Sequence, residues 1–325
     1  MAYKVAVIRG TDPESAASAE RTAQALAEVG NEVVSLVADD GLARELRSAR
    51  PDAAVLALNN ALGRSGAVQS LLELMGIPFV GAPSATCRDT WDKDFLGRLW
   101  RMAANNGELD AHVPDEVCLD GAHLGDLGLG DVLDLVVEHV PGGYPLQVRS
   151  VCGGSAQIVG DNAELREALD ALADRDDAAL VRPAPEGVRA AVAVLGDYDD
   201  LQVLPPVEVV RGERVALDAD GTVGSTQIDY FAPVRLSSLH ADPSEAQAIR
   251  NELERAALDA YLACGCRDLG VVDLTWDGAR ACVLDIDVAP ALGEGELLPL
   301  ACEAAQIPLA EALGALVEIA LERGR

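Results

Sequence analysis

Strands that alternate with helices at the N-terminus constrain the fold more than any other feature. Apolar strands are predicted over residues 4–8, 31–37 and 53–58, with helices over 15–29 and 68–75. Strands connected through helices form a parallel sheet that is covered on both faces. In such sheets, ligands bind beyond the carboxyl ends of the strands. We therefore expect an N-terminal α/β domain with a ligand-binding edge.

A second pattern places acidic side chains within two apolar strands near the C-terminus. Residues 270–277 and 283–287 are strand-like, and the short segment between them favours a hairpin. Residues two apart on a strand point to the same face, so Asp285 and Asp287 would share a face close to Asp273. Close carboxylates repel unless a cation lies between them, and an oxygen-only cluster favours Mg²⁺. The hairpin is therefore the predicted metal site, with solvated strand acids as the alternative.

Net charge and cysteine content indicate which binding partners are disfavoured and in which cellular compartment the protein is expected. Acidic residues number 54 against 25 basic ones, a formal charge of −29, which disfavours nucleic acid and anionic membranes as partners. The sequence shows neither a secretory apolar region nor the roughly 18 apolar residues that span a bilayer. We expect a cytoplasmic protein with seven reduced cysteines. Cys264 and Cys266 have no second ligand pair nearby, so buried structural cysteines are favoured over zinc.

Four local segments are informative through their order. They are Leu71–Gly81, Trp91–Lys93, Gly265–Asp273 and Asp285–Pro299. In this order and at these separations, the chain resembles the D-alanine–D-alanine ligase family of the ATP-grasp superfamily along nearly its whole length. The resemblance implies an α/β fold with a three-domain ATP-grasp architecture that includes the N-terminal parallel-sheet domain.

The resemblance also sets expected domain boundaries and an activity. The N-terminal substrate-side domain would cover residues 1–86, and a linking helical segment with the start of the central domain would cover 87–140. The central ATP-grasp subdomain would cover 141–196, and the C-terminal one, with the acidic hairpin, 197–325. The family uses ATP and Mg²⁺ to join two D-alanines for cell-wall synthesis, through an acyl phosphate that an amine attacks. ATP would lie between the central and C-terminal domains.

Site residues follow position by position from the same resemblance, whereas no catalytic residue is assigned. Magnesium would be held by three aspartates: Asp273, Asp285 and Asp287. ATP would contact Lys93, Arg149, Gly154 and Ser155. Here Arg149 replaces a lysine, and Asp285 and Asp287 replace a glutamate and an asparagine.

Other family positions carry different chemistry in this chain. Arg182 and Pro183 stand where the family has the Glu-Lys pair beside adenine, and proline donates no backbone hydrogen bond. Arg189 stands in place of a ribose-binding glutamate, and arginine cannot accept a hydrogen bond. The segment 59–66 replaces the family's His-Gly-x-x-Gly-Glu-Asp-Gly. Glu296 would face the carboxylate of the second substrate, which is repulsive.

Three functions are consistent with these departures. The first is the family's ATP- and Mg²⁺-dependent ligation of a carboxylate to an amine, with D-alanine disfavoured as the substrate. The second is a catalytically inactive relative that acts as a binding or regulatory partner. The third is a ligase for a different, acidic substrate, which a pocket formed by Arg9, Arg64, Arg182 and Arg189 would hold. An active enzyme would act on a small molecule, and a homodimer is left open.

Overall fold

A parallel sheet opens the fold, as predicted. The computed structural model describes residues 2–119, 129–140, 142–153, 156–175, 177–217 and 223–324. The first elements are β1 (Lys4–Arg9), α1 (Pro13–Glu28), β2 (Glu32–Val37), α2 (Leu42–Ala49), β3 (Ala53–Ala57), α3 (Ala61–Arg64), α4 (Ala67–Met75) and β4 (Phe79–Val80). The strand order is β2-β1-β3-β4, and all pairings are parallel. Because alternate residues of β1 point to opposite faces, Val5 and Ala6 lie in different cores.

A four-stranded antiparallel sheet follows two helices. The elements of this region are α5 (Ser84–Trp91), α6 (Lys93–Asn105), β5 (Val117–Leu119), α7 (Leu129–His139), β6 (Leu146–Ser150), β7 (Gln157–Val159), α8 (Asn162–Ala173) and β8 (Ala179–Pro183). The strand order is β5-β8-β6-β7. Asp161 caps α8 by accepting hydrogen bonds from the backbone N–H groups of Ala163 and Glu164. The cap marks Asn162 as the first residue of this helix.

The C-terminal half forms a six-stranded sheet. Its elements are β9 (Val188–Asp197), β10 (Asp200–Val203), β11 (Val207–Leu217), β12 (Val223–Phe231), α9 (Leu236–Leu239), α10 (Pro243–Ala263), β13 (Asp268–Trp276), β14 (Ala281–Asp287), α11 (Leu297–Ala304) and α12 (Leu309–Arg323). The strand order is β12-β11-β9-β13-β14, and β10 pairs with β9. Strands β13 and β14 form the predicted hairpin, in which Asp273 lies opposite Asp285.

Helices cover both faces of this large sheet. On β9, Val192 and Val194 pack into a core with α10, whereas Ala191 and Ala193 pack into a core with α12 and the N-terminal sheet. The alternation follows from the two-residue period of a strand. The N-terminal sheet and the large sheet therefore share a core. The predicted α/β class is confirmed, while the domain boundaries stay a prediction.

Asp268 joins the first sheet to the last helix. Its side chain is fully buried, and Arg323 donates two hydrogen bonds of 2.8 Å to its carboxylate. The backbone N–H of Gly81 donates a third bond, also of 2.8 Å. A buried carboxylate requires such partners, because its transfer out of water is costly when it is unpaired.

The sequence predicts reduced cysteines and no segment that spans a bilayer. In the described ranges, no single helix is long and apolar enough to cross a membrane. Helices α11 and α12 together have the length and composition of a membrane span, but the chain bends by 106° between them. All seven cysteines belong to the described part of the chain, and no disulfide joins any of them. Cys264 and Cys266 are buried.

Glu208 is expected to make the stability of the large sheet sensitive to acid. Arg235 donates bonds of 2.9 and 2.7 Å to the Glu208 carboxylate. Burial would raise the pKa of Glu208, but hydrogen bonds from Arg235 and Ser238 outweigh it and hold the pKa below 4.5. A lowered native-state pKa contributes stability above about pH 4.5 that is lost as pH falls through the native-state value.

The substitution Glu208→Gln removes this titration. The difference in unfolding free energy between the parent protein and the variant should therefore shrink as pH falls below 4.5. Urea unfolding of both proteins at a series of pH values from neutral to acidic measures this difference in unfolding free energy. A difference that stayed constant across this range would contradict the assigned role of Glu208.

Candidate functional site

A cleft of about 320 Å³ lies where the three sheets meet. Four cationic side chains line it, each from a different element: Arg64 of α3, Lys93 of α6, Arg149 of β6 and Arg189 of β9. Four carboxylates also line it: Asp273, Asp285, Asp287 and Glu296. The strand-end location agrees with the expected ligand site of an α/β protein. The predicted metal residues and two of the predicted ATP residues thus converge on one cavity.

Asp285 is the centre of the charged network. Lys93 donates a hydrogen bond of 2.7 Å to Oδ1 of Asp285, and Arg149 donates one of 3.0 Å to Oδ2. The side chains of Lys93 and Arg149 are only 10% and 8% exposed, so neither is the solvated residue that an average lysine or arginine would be. Burial would raise the pKa of Asp285, but these two cations hold it well below its usual range. The Asp285 carboxylate is therefore ionised at neutral pH.

The other two aspartates have arginine partners. Arg189 donates two hydrogen bonds to Asp273, of which the one from Nε measures 2.9 Å. That hydrogen-bonded pairing raises the pKa of Arg189. Arg64 donates to Oδ2 of Asp287, although the two residues are 223 positions apart in sequence. The hairpin therefore gathers cations from helices α3 and α6, from the antiparallel sheet and from its own sheet.

Every carboxylate oxygen of the three aspartates already accepts a hydrogen bond. The remaining donors are the backbone N–H groups of Ile286, which lies 2.8 Å from Oδ1 of Asp285, and Ala289, which lies 3.0 Å from Oδ1 of Asp287. Throughout the described ranges, no group of three or more His, Cys, Asp or Glu side chains is placed to hold a metal ion. As they are arranged, these residues do not fit Mg²⁺, which binds oxygens that face the ion. The metal role of the aspartates stays a prediction.

Two of the cleft arginines retain buried donors. Within the part of the chain that the structure describes, Nε of Arg64 and Nε of Arg149 are buried and have no hydrogen-bond partner. A buried N–H group without a partner costs about 1–3 kcal/mol, so such groups are rare in native proteins. Both arginines line the cleft. An oxygen-rich ligand could supply the acceptors that these two nitrogens lack.

Gly153, which follows β6, contributes to one wall of the cleft. Its φ is +87°. A Cβ atom at Gly153 would lie 2.9 Å from the ring of Trp91, another residue of the cleft wall. Glycine is therefore required here both by its backbone conformation and by the packing of the indole. The predicted ATP residues Gly154 and Ser155 lie outside the described residues.

The predicted four-arginine pocket is partly wrong. Arg64 and Arg189 line the cleft, but Arg9 and Arg182 do not. Arg182 is only 6% exposed, and it donates to Gln147 at 2.8 Å and to the carbonyl of Leu284 at 3.0 Å. These bonds turn its guanidinium away from the cleft and tie the antiparallel sheet to β14. Arg9 donates to the adjacent carbonyl of Gly10 instead.

Sequence reasoning named Arg64 and Arg189 but missed their direct pairing with the aspartates. It also missed Thr90, whose carbonyl accepts a 2.8 Å hydrogen bond from Lys93 and helps to aim the ammonium group. The available signal was the presence of basic residues, Lys93, Arg149 and Arg189, at positions that the resemblance places beside the ligand. Side chains of opposite charge that converge on one site pair with each other unless a ligand separates them.

Comparisons with known proteins agree with the predicted ATP-grasp fold. The family model described as D-ala D-ala ligase C-terminus matches residues 131–318. A D-alanine–D-alanine ligase of Desulforudis audaxviator is 31% identical over 92% of this chain and 91% of its own length. One from Anaeromyxobacter dehalogenans is 29% identical over 85% of this chain and 82% of its own. The ligase structure from Bacillus anthracis complexed with ATP has a TM-score of 0.78 at 21% identity and covers 99% of each chain.

Proposed function

This chain belongs to the D-alanine–D-alanine ligase family, and we propose that it binds a small polyanion of the nucleotide-phosphate class without joining two D-alanines at a family rate. The supporting observation is the set of four cations that line one cleft, two of which retain a buried nitrogen without a partner in the described structure. Guanidinium groups bind phosphate and carboxylate through paired N–H donors. The related ligase that is complexed with ATP makes a nucleotide the first ligand to test.

Several substitutions argue against D-alanine as the substrate. By resemblance, Arg189 replaces a residue that accepts from ribose, and it is engaged with Asp273. Glu296 lines the cleft where a substrate carboxylate would bind, so the two negative charges would repel each other. Loss of one preorganised group at such sites commonly lowers the rate by roughly 100- to 1,000-fold. The combined changes should leave little ligation of D-alanine.

We expect slow phosphate release when the purified protein is given ATP, Mg²⁺ and D-alanine. The rate should lie at least roughly 100-fold below that of a D-alanine–D-alanine ligase assayed in parallel. A coupled phosphate assay measures it, and a reaction without D-alanine corrects for background hydrolysis. Brisk release that depends on both D-alanine and Asp285 would overturn the proposal.

Ligation of a different substrate is the second candidate, and family membership favours it. Lys93 and Arg149 line the cleft in the places that the resemblance assigns to phosphate contacts. The same phosphate assay, repeated with acidic amino acids and dicarboxylates, tests this candidate. Release with one of these compounds but not with D-alanine would support a changed substrate. Ligand-induced stabilisation with no turnover would support a binding protein.

A further inference from the structure

We infer that side-chain cations take the place of a divalent metal in this cleft, so that its polyanion binds without Mg²⁺. The inference rests on the proposed function, because it concerns how the same ligand is held. Three aspartates and Glu296 line one cavity together with four cations. Each aspartate has at least one of these cations as its direct partner. The positive charge that a metal would supply is therefore already present.

The placement of the pairs supports this assignment. Lys93 and Arg149 approach Asp285 from α6 and β6, and Arg64 approaches Asp287 from α3. All of these groups line the cleft. The four cations already balance the four carboxylates of the cleft, so a divalent ion that entered among them would gain no net attraction. It would also have to displace hydrogen bonds from the carboxylate oxygens before it could coordinate them.

An incoming polyanion meets the opposite situation. It competes with the aspartates for the same arginine and lysine donors, and the buried Nε atoms of Arg64 and Arg149 have no partner within the described structure. Arginine can donate to two acceptors at once, because its five N–H groups point in fixed directions. The aspartates therefore hold the cations in position and weaken anion binding. Metal ligands would have the opposite effect, because they would strengthen the binding of a metal–anion complex.

These opposite effects give a direct test. If Asp285 belongs to a metal site, Asp285→Asn weakens the binding of a magnesium–nucleotide complex, because a ligand of the ion is lost. In a cationic site, the same change releases Lys93 and Arg149 and strengthens the binding of the free polyanion. We expect ATP and tripolyphosphate to bind in the presence of EDTA, and Asp285→Asn to lower their Kd roughly tenfold. Isothermal titration calorimetry measures both.

Asp287→Asn provides a second variant, since its partner Arg64 is 42% exposed and the change should be easier for the fold to tolerate. It should also tighten binding. Asp110→Asn alters the net charge by the same amount in an exposed ion pair with Arg255 outside the cleft, and it should leave the Kd unchanged. Circular dichroism of each variant verifies folding.

The outcomes separate the two proposals. Binding that requires Mg²⁺ and weakens in both cleft variants would overturn the metal-free inference and leave anion binding intact. Absence of binding by the parent protein in either EDTA or Mg²⁺ would overturn the proposed function itself. Tighter binding in the cleft variants, measured in EDTA, supports both.

Discussion

Replacement of Arg323 by alanine should lower the free energy of unfolding by about 3–5 kcal/mol. Arg323 donates two hydrogen bonds to Asp268, whose side chain is fully buried. Without the guanidinium, the carboxylate keeps the backbone N–H of Gly81 as a donor, but its nearest remaining cation, Arg267, is 4.0 Å away. An uncompensated buried charge is among the most destabilising defects that one substitution produces.

An exposed ion pair provides the control for Arg323. Arg255 lies 2.6 Å from Asp110, and the two side chains are 53% and 74% exposed. Arg255→Ala removes an arginine side chain from a solvent-exposed ion pair. Such a pair contributes at most about 1 kcal/mol to the free energy of unfolding. Urea unfolding of both variants gives the comparison. Equal losses in the two variants would mean that Asp268 does not depend on Arg323.

Local patterns in the sequence predicted most of the fold. Apolar periodicity predicted the strands and helices of the N-terminal sheet. Aspartates cap helices elsewhere in the chain, and Asp242, for example, accepts bonds from the N–H groups of Ser244 and Glu245 at the start of α10. The short turn after Trp276 predicted the hairpin. A register shift between Asp273 and Leu274 places Asp273 opposite Asp285, and the turn alone does not predict that shift. The periodic, capping and turn patterns are local, and the sequence contains the interactions that produce them.

The pairing within the cleft could not be predicted in the same way. Arg64 reaches Asp287 only because the N-terminal sheet packs beside the hairpin, and no spacing in the sequence encodes that distance. Arg182 shows the reverse case, because its position suggested the cleft while its bonds to Gln147 and Leu284 bury it elsewhere. An acidic cluster read alone indicates a metal. Whether its oxygens are already occupied depends on tertiary packing.

Arg149→Met should weaken polyanion binding in the cleft by roughly 100-fold. Arg149 is 8% exposed, its Nη2 donates to Asp285, and its Nε has no partner in the described structure. A hydrogen bond that involves a charged group contributes about 1.5–3 kcal/mol, so the loss of two donors that the guanidinium would present to an anion costs about 3 kcal/mol or more. Each 1.4 kcal/mol is about a tenfold change in Kd. Methionine fills similar space without donors, which separates the loss of charge from the loss of packing.

Arg166→Met is the matched control for Arg149, because Arg166 lies on α8, is 61% exposed and contacts Asp170 outside the cleft. Calorimetry with ATP and with tripolyphosphate should show no change in this control. The double variant Arg149→Met with Asp285→Asn should bind more tightly than Arg149→Met alone, because Lys93 is then free to meet the anion. Unchanged affinity in Arg149→Met would place the ligand elsewhere. Affinity that recovered only when Mg²⁺ was added would mean that Asp285 had regained a metal once its arginine was removed.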